Sequence, residues 1–134
     1  MEKHDIVSQE DIKLLVDTFY KKVLEDDLIG HIFTKVVALS WDKHMPIMYS
    51  FWGSMLLGTQ TYQSNPMVKH MNLDKIFRLD KEHFDRWLQI WEQNINEHFT
   101  GETASQAIIR AKNIASVMEY KVRKDRNKDS LNLI

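Results

Sequence analysis

Apolar positions recur at helical spacing in four stretches, parted by short polar or glycine-marked breaks, and no stretch alternates as a strand would. Ser8, with Asp11 three residues on, predicts a helix cap. Ile12, Leu15, Val16, Phe19 and Val23 then form one apolar face with Tyr20 at its edge, fading at Glu25-Asp26-Asp27. Residues 27–33, DLIGHIF, predict a tight corner with Gly30 as breaker and Phe33 as buried anchor. A second helix is predicted over 41–57, where His44, Met48, Phe51 and Met55 step by four, three and four and so share a face. Ser40 or Asp42 caps it. With Asp42 in that role, Pro46 falls close to the first turn, where proline is tolerated. Gly58 is the expected stop.

The polar run 59–65 predicts a loop, and Asn65-Pro66 opens one short helical turn carrying His70. After a second loop at 71–79, Asp80 caps a third helix whose stripe is Phe84, Trp87, Leu88, Trp91 and Ile95, ending near Phe99. Gly101 breaks the chain. From about Glu102 a fourth helix aligns Ala104, Ala107, Ile108, Ala111, Ile114, Ala115, Met118 and Val122, its alanines suited to close helix approach. The basic, polar end from residue 123 is expected to fray. The fold class is all-α, with one domain over 1–134 and residues 1–8 as an N-terminal extension.

Composition narrows the function. A net charge of −1 with no long basic stripe argues against nucleic acid as a partner. The absence of cysteine removes disulfides, thiolate catalysis, cysteine-held metals and covalent haem attachment. No run of about 18 apolar residues predicts a membrane span, and the acidic, polar N-terminus lacks a signal core, so the cytoplasm is the expected compartment. The chain carries 14 Trp, Tyr and Phe residues with seven Met, enough to line a flat apolar pocket or a plain helical core.

Two constellations stand out within this frame. His70 follows a long polar segment and is flanked by Met67, Val68 and Met71; an imidazole so placed can reach a haem iron. Taken alone, it is a surface histidine on a loop. Tyr20, His44 and Trp87 sit at or beside the apolar faces of three different helices, and each ends in a polar group that needs a partner if buried. Singly they are ordinary core or boundary residues; together they make a polar cap over a small ligand. Glu-x-x-His, H-E-x-x-H, phosphate-loop and G-x-S-x-G motifs are absent.

The segments FYKKV, WDKHM, MVKHM and FDRWL, in that order, resemble the third group of truncated haemoglobins, and FWGSMLLG at 51–58 resembles the segment that follows the start of the family's distal helix. The resemblance runs from about residue 9 to 120. It implies a shortened globin, two helices on two around a non-covalent haem b. His70 would be the iron ligand, Tyr20, His44 and Trp87 the distal ligand-binding residues, and Met48 would face the ligand one turn further along. Phe33, Phe51, Trp52 and Met55 would serve as pocket wall or core, and Lys69 and Arg78 would meet the haem propionates. Two departures stand out. Gly30-His31 replaces the proline usual before Ile-Phe at the corner, which puts His31 in solvent, and Pro46 follows His44 closely.

The implied function is binding of dioxygen and related small gaseous or anionic ligands at a histidine-held iron. Several hydrogen-bond donors over one ligand suit slow release rather than bulk oxygen transport. Turnover of nitric oxide or peroxide would then require an external reductase as electron-donating partner. Two alternatives come from other classes: a haem-based gas sensor read out by a partner protein, and a haem-free helical interaction module. No catalytic residue is assigned.

Overall fold

In this computed structural model the protein is described over residues 2–36, 40–59, 74 and 78–132, with side chains to residue 125. Four long helices carry the architecture: α1 (Gln9–Glu25), α2 (Trp41–Leu57), α3 (Lys81–His98) and α4 (Glu102–Asn132). Helix α1 packs against α2 and α3, and α4 packs against α3 and α2. The result is two helices laid on two. Among the described residues, no helix is long and apolar enough to cross a membrane.

Helix α1 begins where the sequence places it. Ser8 Oγ accepts from Asp11 N at 3.2 Å while the Asp11 carboxylate accepts from Ser8 N at 3.2 Å, a reciprocal capping box. Its predicted apolar face is buried throughout, and Tyr20 with it, at 9% exposure. The corner after α1 departs from expectation. Gly30 takes no left-handed φ and does not break the chain by conformation. It allows a close approach instead, since a Cβ there would stand 2.9 Å from the carbonyl oxygens of Val23 and Leu24. Ile29 and Ile32 are the buried anchors, Phe33 is half-buried, and residues Ile32–Val36 form a π-helical turn. His31 is also half-buried rather than in open solvent.

Helix α2 starts after Ser40, so Pro46 lies inside the helix rather than at its first turn. Its missing N–H removes one ladder bond, and both Pro46 and Asp42, four residues back, are exposed, so water can satisfy the freed carbonyl. Gly58 ends α2 in the left-handed region at φ 70°, as expected of a helix stop. The loop beyond Thr59, the short turn expected to carry His70 and most of 71–79 lie outside the described residues.

In α3 the buried positions are Phe84, Ile90, Trp91, Asn94 and Ile95, while Trp87 and Leu88 are half-buried at the edge of the stripe. The sequence stripe missed Ile90 and Asn94. Asn94 is fully buried and fully used: its amide donates to Leu15 O (3.1 Å) and Thr18 Oγ1 (3.0 Å), and its carbonyl accepts from Lys22 Nζ (2.7 Å). It is a polar pin between α1 and α3. Helix α4 buries Ala104, Ala107, Ala111 and Ala115 as expected, and it continues to Asn132 where a frayed tail was predicted from residue 123. The Lys- and Arg-rich end contains no glycine or proline, and such residues propagate a helix already started.

The N-terminal segment is tied into the fold. Ile6 is buried, Thr100 N donates to His4 O at 3.1 Å, and the Asp5 carboxylate accepts from Thr103 N (2.9 Å) and Ala104 N (2.8 Å) at the start of α4. Asp5 thus caps a helix from 98 residues away. Gly101 makes room for it: its φ is 139°, and a Cβ there would fall 2.4 Å from Asp5 Cγ. Burial acts to raise the Asp5 pKa, but the N–H groups of Thr103, Ala104 and Ile6 outweigh it and hold the carboxyl below its usual value. Asp5→Ala is expected to cost about 1–2 kcal/mol at neutral pH, measured by thermal melts. Because the folded pKa is depressed, this contribution is complete above the ordinary value of 3.8 and is lost as pH falls through the folded value. Parent and variant should therefore converge in acid.

Candidate functional site

Three helices bring the expected polar cap to one region. Tyr20 comes from the buried face of α1 and His44 from the first turn of α2 that follows the cap; the Tyr20 hydroxyl and His44 Nε2 share a hydrogen bond of 3.0 Å. The Tyr20 ring is gripped edge-on by Phe33 (6.0 Å) and Trp41 (5.5 Å), and Trp41 also meets the His44 ring edge-on at 5.6 Å. Burial pushes the Tyr20 phenol far above its ordinary pKa, so it is a neutral hydroxyl with a single proton to give.

Trp87 stands on α3 beside this pair. Phe19 makes edge contacts with both Tyr20 (5.1 Å) and Trp87 (5.8 Å). Trp87 is half-buried, and among the described residues its indole N–H makes no hydrogen bond. Its position is braced from the preceding residue. Arg86 Nε and Nη2 donate to Asp26 Oδ1 at 2.7 and 2.6 Å, with the Asp26 side chain only 4% exposed. Asp26 also caps the corner, accepting from Leu28 N and Ile29 N at 3.1 Å. Burial alone would raise the Asp26 pKa; the Arg86 guanidinium and the two N–H groups overcome this and lower it. The corner and the Trp87 helix are thereby held to each other.

The α2 face predicted from spacing is present and only partly covered. His44, Met48, Phe51 and Met55 are all half-buried, whereas the fully buried residues of α2 are Trp52 and Gly53. Trp52 stacks on Trp91 at 4.3 Å and belongs to the core, the second of the two roles expected for it. Phe51 makes an edge contact with Trp52. Arg78 is exposed and paired with Asp80 at 2.9 Å, so a propionate would have to compete with that carboxylate. His70 and Lys69 lie outside the described residues.

Trp41, which touches both members of the Tyr20–His44 pair, was not singled out by the sequence reading. Its signal was there: it stands three residues before His44 and therefore on the same helix face. The Asp26–Arg86 brace had no such local signal. Asp80, Glu82 and His83 place ligand-type atoms within 4.8 Å of one another, but His83 Nδ1 accepts from Asp80 N at 2.9 Å and the group caps α3.

A bacterial-like globin family model matches residues 4–120. The chain belongs to that family. Within it, the chain is 33% identical to a group 3 truncated haemoglobin of Campylobacter jejuni over 117 residues, covering 85% of this chain and 90% of that protein. The crystal structure of the group III truncated haemoglobin from Campylobacter jejuni superposes with a TM-score of 0.78 at 30% identity, over 90% of this chain and 95% of that one. The fold is therefore the truncated globin fold of the third group, and the protein is a haem globin. An apolar, thioether- and aromatic-lined face beside neutral hydrogen-bond donors fits a flat apolar macrocycle with a small polar ligand on it.

Proposed function

We propose that this globin holds haem b non-covalently, with His70 as the iron ligand, and binds dioxygen and related small ligands on the opposite side under Tyr20, Trp87 and His44. The observation that carries the reading is the part-buried Tyr20–His44 hydrogen bond beside a Trp87 indole N–H with no described partner. Haem iron supplies the coordination position at which a diatomic molecule binds. Phe33, Phe51 and Met55 form the apolar wall, and Met48 faces the ligand between them. Lys69 lies close to His70 in sequence and is the propionate partner we favour over the paired Arg78.

The donors act by number and by direction. Tyr20 has one proton, so it can donate to a ligand only while accepting from His44, which requires the tautomer with a proton on Nε2. His44 thus aims the Tyr20 proton. A donor bonded to a charge-bearing acceptor contributes roughly 1.5–3 kcal/mol, or about one to two decades in ligand retention. Trp87 adds a second donor from another helix. A pocket of this kind suits capture and slow release. Cysteine-free composition fits a reducing, cytoplasmic setting.

Haem binding is checked by absorption spectra of the reduced protein with and without carbon monoxide. A histidine-ligated ferrous spectrum, converted by carbon monoxide and lost or weakened in His70→Ala, is expected; no Soret band after reconstitution would leave a haem-free interaction module. Tyr20→Phe should speed dioxygen release by about tenfold or more and carbon monoxide release far less, read by stopped-flow. Equal effects on both would exclude a donating Tyr20. With an added reductase, consumption of nitric oxide or peroxide above that of free haem would establish turnover, and its absence would confine the role to binding.

A further inference from the structure

The tryptophans of the core form a file. Trp87 and Trp91, one turn apart on α3, lie nearly parallel (5°) with centroids 6.0 Å apart, and Trp91 meets Trp52 of α2 at 25° and 4.3 Å. Trp52 and Trp91 are 4% and 1% exposed, so two of the three indoles are shielded from solvent. One turn before Trp52 on α2 stands Tyr49, whose hydroxyl donates to the Asp17 carboxylate of α1. Burial, the hydrogen bond to Asp17 and the Asp17 charge push the Tyr49 phenol up to about 12, so it is protonated at neutral pH.

We propose that Trp87, Trp91 and Trp52 conduct an oxidising equivalent from the haem site to Tyr49, where Asp17 takes the phenolic proton and a tyrosyl radical forms. The proposal rests on the reading above that haem lies beside Trp87. Electron transfer weakens steeply with distance, and stacked indoles divide a long path into short contacts. The chemistry at each stop decides where the charge rests. The Trp91 N–H donates to the Ala107 carbonyl at 3.1 Å, and a carbonyl is too weak a base to take that proton. Tyr49 donates to a carboxylate, which can. Toward Tyr20 the route from Trp87 runs through Phe19, a ring far harder to oxidise than an indole.

The oxidant is a hydroperoxide. With haem bound, it would take up two electrons and, from solvent, two protons, its O–O bond breaking to give an alcohol, or water from hydrogen peroxide, and a second water. One of those electrons is restored from Tyr49 by successive transfer through Trp52, Trp91 and Trp87, each indole ending unchanged. The proton moves from Tyr49 Oη to Asp17 Oδ1, leaving a neutral tyrosyl radical and a neutral carboxylic acid. The second electron would come from an external reductant.

The test is electron paramagnetic resonance of the haem-loaded full chain, frozen soon after hydrogen peroxide is added, with spin-trap adducts located by mass spectrometry. A tyrosyl signal and an adduct at Tyr49 are expected. Tyr49→Phe should lose both and leave an indole radical, Asp17→Asn should shift the signal to an indole, and Trp91→Phe should lose the Tyr49 adduct while the carbon monoxide spectrum is kept. A signal unchanged in Tyr49→Phe, or lost only in Tyr20→Phe, overturns the proposal. Pulse radiolysis with azide radicals, which oxidise indoles, tests the file whatever the haem content. Tyrosyl absorbance should grow as indole-radical absorbance decays, and this growth should vanish in Tyr49→Phe. An absent Soret band with this transfer intact would reject the haem reading alone; a normal Soret band without the transfer would reject the file alone.

Discussion

Trp91 is the side chain through which the four long helices meet. From α3 its ring stacks on Trp52 of α2, receives the edge of Phe19 of α1 at 4.9 Å, and donates its N–H to the Ala107 carbonyl of α4. Burying an aromatic side chain of this size removes roughly 150–250 Å² from water, so at about 25 cal/mol per Å² it contributes some 4–6 kcal/mol. That is comparable to the whole net stability of many domains, which is roughly 5–15 kcal/mol. The alanines of α4 are the counterpart of this large ring: only a helix with small side chains on that face lets an indole nitrogen reach backbone carbonyl oxygen.

Polar contacts then set how the packed helices are aligned. Hydrophobic burial has no direction, so many rotations of α1 against α3 would bury similar area. Asn94 selects one, because its amide must meet Leu15 O and Thr18 Oγ1 together or be left unsatisfied. The Asp26–Arg86 pair fixes the corner against α3, and Asp5 fixes the N-terminal segment against α4. Each of these joins residues far apart in the chain. Two of them also lie beside the proposed distal residues: Arg86 precedes Trp87, and Lys22, which bonds the Asn94 carbonyl, lies two residues after Tyr20.

The proposed haem site occupies the place where this packing is least complete. Helix α2 is rich in apolar residues, yet Met48, Phe51 and Met55, which share a face with His44, are all only half-buried. A helix in the interior of a four-helix core would bury most of them. A half-covered apolar face next to a buried, hydrogen-bonded phenol is the arrangement a flat, mostly apolar cofactor with one polar face would complete. The same tryptophan file that holds the core together begins at that site, so packing and redox chemistry would share side chains.

The sequence by itself determined the element types and most of their ends. Ser8, Gly58 and Asp80 are local signals, and helical spacing alone grouped Ile12 through Val23 and Ala104 through Val122. It also marked Tyr20, His44 and Trp87 as polar tips on apolar faces, and the family resemblance named their roles. Where it failed, the cause was nonlocal. Gly30 looks like a breaker from composition, but its need for a missing Cβ comes from the carbonyls of Val23 and Leu24 folding back on it. Asn94 reads as a polar position on α3, and only α1 lying across it gives its buried amide partners. Phe33 and Ile32 are neighbours of like hydropathy, and which one turns inward is decided by the π-helical turn. Periodicity reports which residues share a face of one helix; it carries no information on the rotation and separation of two helices. Tertiary packing alone brought the Tyr20 hydroxyl within 3.0 Å of His44 and stood Trp87 beside them.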